Sequence, residues 1–354
     1  MSNQARHGTR AKRRRALRVS TAAFGAFALA AGAVSLAAAT ASATANGAPN
    51  TPNIPNTRSA PKAAPPAVAP YLYNGWGDPP DPNEVMTATG VSWFTMAFVL
   101  DSGGCEPQWD GSRPLTGGVD ERTVEAVRGA GGDIVPSFGG AGGDKLEIRC
   151  QDSTALAGAY QKVIDAYGLK AIDIDIEGDA YDDPAVQQKT IDALKQVKAD
   201  NPGLITYVTF PSDQSGPDTG MIDRAAASEL EVDGWTIMPF NFGGEGQNMA
   251  ELTARATDGL KNAVKNAYGY SDEEAYAHSG LSSMNGITDV GETITTDDFR
   301  AIKDYAQEHH LARLSFWSVN RDRPCPGEYP NDDTCSGTEQ EPWEFSKILA
   351  GFTG

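Results

Sequence analysis

From Pro70 onward the chain alternates between two kinds of segment. Runs rich in β-branched and aromatic residues occur at Tyr71–Trp76, Trp93–Leu100, Asp133–Phe138, Ala171–Glu177, Ile205–Phe210, Gly234–Phe240, Ala277–Ser282 and Arg313–Val319. These read as strands. Amphipathic stretches separate them. In Ser153–Tyr167, the residues Leu156, Tyr160, Val163 and Tyr167 share one helical stripe, and Gly168 can end the helix. In the next stretch Asp183 can cap, Pro184 takes the first helical position, and Val186, Thr190, Leu194 and Val197 form the buried face. Asn201-Pro202-Gly203 then stops it. Further helices are expected near Glu121–Arg128, Gly220–Leu230, Met249–Ala267, Thr296–His309 and Trp343–Leu349. Strand–helix alternation implies parallel strands joined by right-handed crossovers. Eight units over residues 70–354 predict an α/β chain folded as one closed (β/α)8 TIM barrel. The alternative is a doubly wound open sheet. That fold would want a glycine-rich phosphate loop, and Asn74-Gly75-Trp76-Gly77-Asp78 is not GxGxxG. No organic cofactor or metal is expected.

The fourth strand, Ala171-Ile172-Asp173-Ile174-Asp175-Ile176-Glu177-Gly178, carries the chemistry. A strand's period of two puts the three isoleucines on one face and Asp173, Asp175 and Glu177 on the other. In a barrel the acids would point inward and climb toward the C-terminal mouth. Burying an ionised carboxylate costs several kcal/mol unless it is paired. Three like groups in a column therefore leave at least one protonated at neutral pH, as a general acid requires. Two other readings fit the spacing: an edge strand with its acids in solvent, or a calcium site, for which a rigid strand is poorly shaped.

Charge is distributed unevenly. The chain has 29 Lys+Arg against 47 Asp+Glu, for a formal charge of −18, which argues against a nucleic-acid partner. Residues 1–45 hold seven basic residues and no acid, followed by an Ala-rich apolar run and Ala41-Ser42-Ala43. This is the pattern of a secretory signal peptide, with a membrane anchor as the alternative. Residues 46–69, rich in Pro, Ala, Asn and Thr, read as a disordered linker. A secreted chain with four cysteines is expected to form disulfides. Cys325–Cys335 would staple a Pro/Gly-rich loop, which leaves Cys105–Cys150. No CxxC spacing supports zinc.

The carboxylate strand resembles the active-site strand of glycoside hydrolase family 18, whose DGxDxDxE signature is matched here by its last three acids. Ser137-Phe138-Gly139-Gly140 resembles the family's SxGG on the third strand. Met238-Pro239-Phe240-Asn241-Phe242-Gly243 stands where the family has a Met-x-Tyr-Asp type run on the sixth strand. Trp317 resembles the last-strand tryptophan that floors the sugar pocket. The resemblance covers the whole region from about Pro70. It implies a single catalytic domain that hydrolyses β-1,4-linked N-acetylglucosamine polymers such as chitin. It also implies a substrate-assisted retaining mechanism, an exception to the two-carboxylate scheme. Glu177 would be the acid and base. Asp175 would orient the substrate's acetamido group, and Asp173 would share a proton with Asp175.

The chain departs from the family pattern at several positions. Lys170-Ala171 replaces the first acid and glycine; a lysine there could pair with an outer acid. Phe240 stands where many members have a Tyr that bonds the acetamido group, which Phe cannot do. Asn241 replaces an Asp. Phe98, Trp76 and Tyr207 are further expected sugar contacts, while Trp93, Phe94, Trp109 and Trp343 read as core or surface. Asn320 and Arg321 could bind substrate, or Arg321 could pair with Asp322. The remaining alternatives are an endo-β-N-acetylglucosaminidase on other glycans and a non-catalytic glycan-binding barrel. A secreted monomer is the expected state.

Overall fold

A computed structural model describes residues 65–327 and 333–354. The leader expected at 1–45 and most of the linker expected at 46–69 lie outside them. Eight parallel strands follow one another around the sheet: β1 (Tyr71–Tyr73), β2 (Trp93–Asp101), β3 (Asp133–Gly139), β4 (Ala171–Asp175), β5 (Ile205–Pro211), β6 (Gly234–Met238), β7 (Ser279–Met284) and β8 (Arg313–Trp317). Their order in space is their order in sequence, the topology of a TIM barrel. All eight expected strands are present, several of them shorter than expected.

The barrel closes between β8 and β1 largely through side chains. Val68 bridges Leu314 in parallel fashion. The Ser315 hydroxyl donates to the Ala69 carbonyl at 2.8 Å. Buried Asn320 accepts from the Tyr73 N–H at 3.1 Å and donates to the Tyr73 carbonyl at 2.8 Å. Asn320 is therefore a closing clamp. Arg321 is also buried and donates to the main-chain carbonyls of Asn285 and Ile287. Asp322 accepts from the N–H groups of Phe345 and Ser346. The end of the expected spacer is thus part of the barrel. Ala67 and Ala69 are buried, and Ala69 packs with Trp93, Val135, Ala171 and Tyr207 at the bottom of the barrel. Composition alone could not separate that function from disorder.

The outer layer comprises α1 (Pro82–Thr89), α2 (Val119–Gly129), α3 (Ser153–Tyr167), α4 (Pro184–Asp200), α5 (Gly220–Ala227), α6 (Met249–Tyr268), α7 (Thr296–Glu308) and α8 (Glu344–Leu349). Cap chemistry sets several starts. Asp183 accepts from the Ala185 N–H, with Pro184 at the first position of α4. Thr295 and Asp298 form a reciprocal capping box on α7. Gly168, in the left-handed region at φ 57°, ends α3. The sequence reading had missed α1, whose Asp81 cap and Pro82 give a usable signal. Ile172, Ile174, Leu156, Val163 and Leu194 join the apolar layer between strands and helices. The two disulfides are Cys105–Cys150 and Cys325–Cys335, as expected.

Candidate active site

Strand β4 does what its period demands. Ile172 and Ile174 are fully buried in the outer layer, and Asp173 and Asp175 face the barrel interior. The Ile176 N–H still donates to the Thr209 carbonyl at 2.8 Å, so the ladder runs one residue past the strand. Glu177 follows at the mouth, before a Gly178 that adopts φ 53° and turns the chain away. Gly139 allows the close approach beside it. A Cβ there would meet the Asp175 carbonyl at 2.1 Å, and the Gly140 N–H donates to that carbonyl at 2.8 Å.

The three acids have different surroundings. Asp173 is fully buried and accepts four hydrogen bonds. They come from Tyr71 (2.9 Å), Ser137 (2.7 Å), Thr209 (2.7 Å) and the Arg313 guanidinium (2.6 Å). Arg313 is itself fully buried, donates to Thr95 at 2.8 Å, and lies 4.6 Å above the Tyr207 ring. Asp175 is 3 % exposed. The Tyr71 hydroxyl is 3.3 Å from one of its oxygens, and the other oxygen has no partner. Burial, then the nearby Glu177 and Asp173 charges, push the Asp175 carboxyl far above the usual range. Glu177 is pushed up to about 7, chiefly by burial, with Asp289 adding to the rise and Lys145 opposing it. One carboxyl is thus ion-paired, one is driven far upward by burial, and one is poised near neutrality. Four donors already occupy Asp173, and the Tyr71 hydroxyl sits within reach of both carboxylates.

Glu177 and Asp175 open into a cavity of about 420 Å³. Trp317, Phe98, Trp76, Met238, Phe240 and Asn241, all expected contacts, line it. Phe98 and Trp317 stack 5.6 Å apart with ring planes 8° from parallel, forming an apolar floor. Trp76, 47 % exposed, meets Trp317 edge-on at the rim. Three expected contacts lie elsewhere. Ser137 is fully buried behind the site and serves Asp173. Gly139 contributes backbone spacing. Tyr207 lies on the N-terminal side, packed with Ala69, Trp93, Val135 and Ala171. Its face of the strand was read correctly, but its level in the barrel places it below the acid column.

Other residues at the site escaped the sequence reading. Tyr71 and Tyr73 line the cavity from β1, and their i, i+2 spacing was a legible signal. Arg313 shares the inward face of β8 with Trp317 by the same rule. Asp289 lines the wall opposite and accepts from the Asn241 amide at 2.9 Å. Fully buried Glu292 holds that wall, accepting from the N–H groups of Asn241 (2.7 Å) and Gly243 (2.8 Å). Asp289 and Glu292 carried no local pattern.

No family model matches the chain. Its fold is shared with a family 18 chitinase from Chromobacterium violaceum, at TM-score 0.53 and 17% identity, over 81% of this chain and 83% of that one. The catalytic domain of a hyperthermophilic chitinase from Pyrococcus furiosus is much nearer. It matches at TM-score 0.72 with 31% identity, over 80% of this chain and 93% of that domain. The chain belongs to glycoside hydrolase family 18. Curated relatives of this family 18 chain include a probable bifunctional chitinase/lysozyme of Escherichia coli, 30% identical over 316 residues. Another is Endochitinase 11 of Metarhizium anisopliae, 28% identical over 284 residues. The matches cover 83% and 75% of this chain, but only 35% and 54% of those relatives.

Proposed function

We propose that this family 18 chain is a secreted chitinase that cleaves β-1,4 links between N-acetylglucosamine units with retention of configuration. One observation carries the reading: a carboxyl poised near pH 7, Glu177, beside a buried Asp175 at an aromatic-floored cavity. A group at that pKa can give a proton and take one back at neutral pH. Glu177 protonates the glycosidic oxygen. The substrate's own acetamido carbonyl oxygen attacks the anomeric carbon, the leaving sugar departs, and a cyclic oxazolinium ion forms. Asp175, which lines the cavity and has one oxygen without a partner, orients the acetamido N–H and offsets the developing positive charge. Glu177, now a base, takes a proton from water, which attacks the anomeric carbon and opens the ring. Trp317 and Phe98 receive the apolar face of the sugar. The leader-like N-terminus and the two disulfides support secretion.

The test is hydrolysis of chitotetraose by wild type and Glu177→Gln, with the product anomer followed by NMR. Wild type should release the β-anomer first, and the variant should lose on the order of 10³-fold or more in kcat. Oligomer binding without turnover in wild type would indicate a glycan-binding barrel. Turnover only on N-linked glycans would indicate an endo-β-N-acetylglucosaminidase. Equal rates in both proteins would remove Glu177 from the mechanism.

A further inference from the structure

Lys145 is a cation with an unusual position. It is 6 % exposed, and its ammonium donates to the main-chain carbonyls of Gly139 (3.3 Å), Gly140 and Gly142. The segment that carries it is pinned on both sides. The Asp144 carbonyl accepts from the Asp101 N–H at 2.8 Å. After Lys145 comes a single helical turn, Leu146–Arg149, that ends at the Cys150 disulfide to Cys105. The glycine loop that the ammonium grips lines the cavity through Gly142 and Gly143. A buried ammonium is costly, and neutral carbonyls offset that cost only in part. A neutral donor could have capped the same carbonyls. What the charge adds is its field, and Glu177, Asp175 and Glu147 are the acids that feel it.

We propose that Lys145 is a positioning residue of the family 18 site. It clamps the glycine loop against the mouth and places a buried positive charge beside the acids at the end of β4. The proposal rests on the reading of Glu177 as acid and base. The acidic and basic groups around Glu177 are Asp175 at the end of β4, Lys145 under the glycine loop, Asp289 from the loop after β7, and Asp110 and Asp333, which line the same cavity. The Asp173–Arg313 pair lies deeper. Lys145 and Asp289 act with opposite sign: the lysine holds the Glu177 carboxyl down and the aspartate lifts it. Burial lowers Lys145's own pKa, while the neighbouring acids act to keep it charged.

The experiment is a pH profile of kcat/KM on chitotetraose, paired with 13C-NMR titration of the Glu177 carboxyl. Wild type, Lys145→Gln, Lys145→Arg, Asp289→Asn and Glu177→Gln are compared. Lys145→Gln keeps donors but not charge, and should move the alkaline limb and the NMR titration upward by on the order of half a pH unit. Lys145→Arg should stay near wild type, and Asp289→Asn should move both readouts down. If Lys145→Gln lowers Tm while limb and titration stay in place, the lysine is only a structural clamp and the proposal falls. A Glu177→Gln variant that still turns over would instead overturn the reading of Glu177, an outcome distinguishable from the first.

Discussion

The deep interior and the mouth of the barrel treat the same kind of residue in opposite ways. Below the mouth the acids have cations. Asp173 has Arg313 at 2.6 Å, and Asp133, at the start of β3, has Arg128 and Lys170 at 2.8 Å each. Burial alone would raise the Asp133 carboxyl, but bonds from Lys170 and Arg128 outweigh it and hold it below the usual range. Two and four residues further along the chain from Asp173, Asp175 and Glu177 form no salt bridge among the described residues, and burial drives both upward. Paired acids fix the barrel, whereas burial pushes the unpaired ones upward, toward proton transfer at neutral pH. The difference is supplied by neighbours and not by residue type.

Removing the deep cation should break this contrast most severely. Arg313→Met leaves Asp173 buried without its charge partner, and should cost about 3–5 kcal/mol in urea unfolding. A loss below about 1 kcal/mol would mean that the three hydroxyl donors suffice. The mouth should respond in the other direction. Glu177 titrates near 7 when folded against an ordinary value of 4.5. The folded state therefore holds a proton that the unfolded chain releases. This contribution is fully present below about pH 4.5 and fades as pH rises through 7. Glu177→Gln removes the fading, so it should stabilise by about 3 kcal/mol at pH 8 and by almost nothing at pH 4. A gain independent of pH would show that Glu177 is not held above its ordinary value. The smallest effect should come from Lys170→Met. Lys170 is 70 % exposed and Asp133 keeps Arg128, so the loss should stay within about 1 kcal/mol and shrink further in salt.

The residues that were read correctly share one property: their signal was local. The Ile/acid alternation determined which side chains of β4 enter the barrel. Tyr71 and Arg313 obeyed the same period and could have been found by it. Tyr207 shows where the rule stops. Period two assigns a face but not a height, and height is set by how neighbouring strands are staggered. Asp173 pairs in register with both Ser137 and Tyr207, yet the Ser137 hydroxyl reaches Asp173 and the Tyr207 ring packs with the bottom layer. Lys145 and Asp289 lie in loops with no period at all.

The sequence by itself determined eight strand–helix units, the acid column, both disulfide pairings and the aromatic floor. The units and the acid column follow from spacing along the chain, the pairings from the short loop between Cys325 and Cys335, and the Trp317 floor from the family resemblance. The tertiary structure alone decided which acid is paired with a cation, which is driven far upward by burial, and which lies near neutrality. Those outcomes depend on Arg313, which lies 140 residues from Asp173, and on the Tyr71, Lys145 and Asp289 groups that barrel closure brings to β4. Burial and charge–charge distance set a pKa, and both are properties of the folded surroundings, not of the strand that carries the acid.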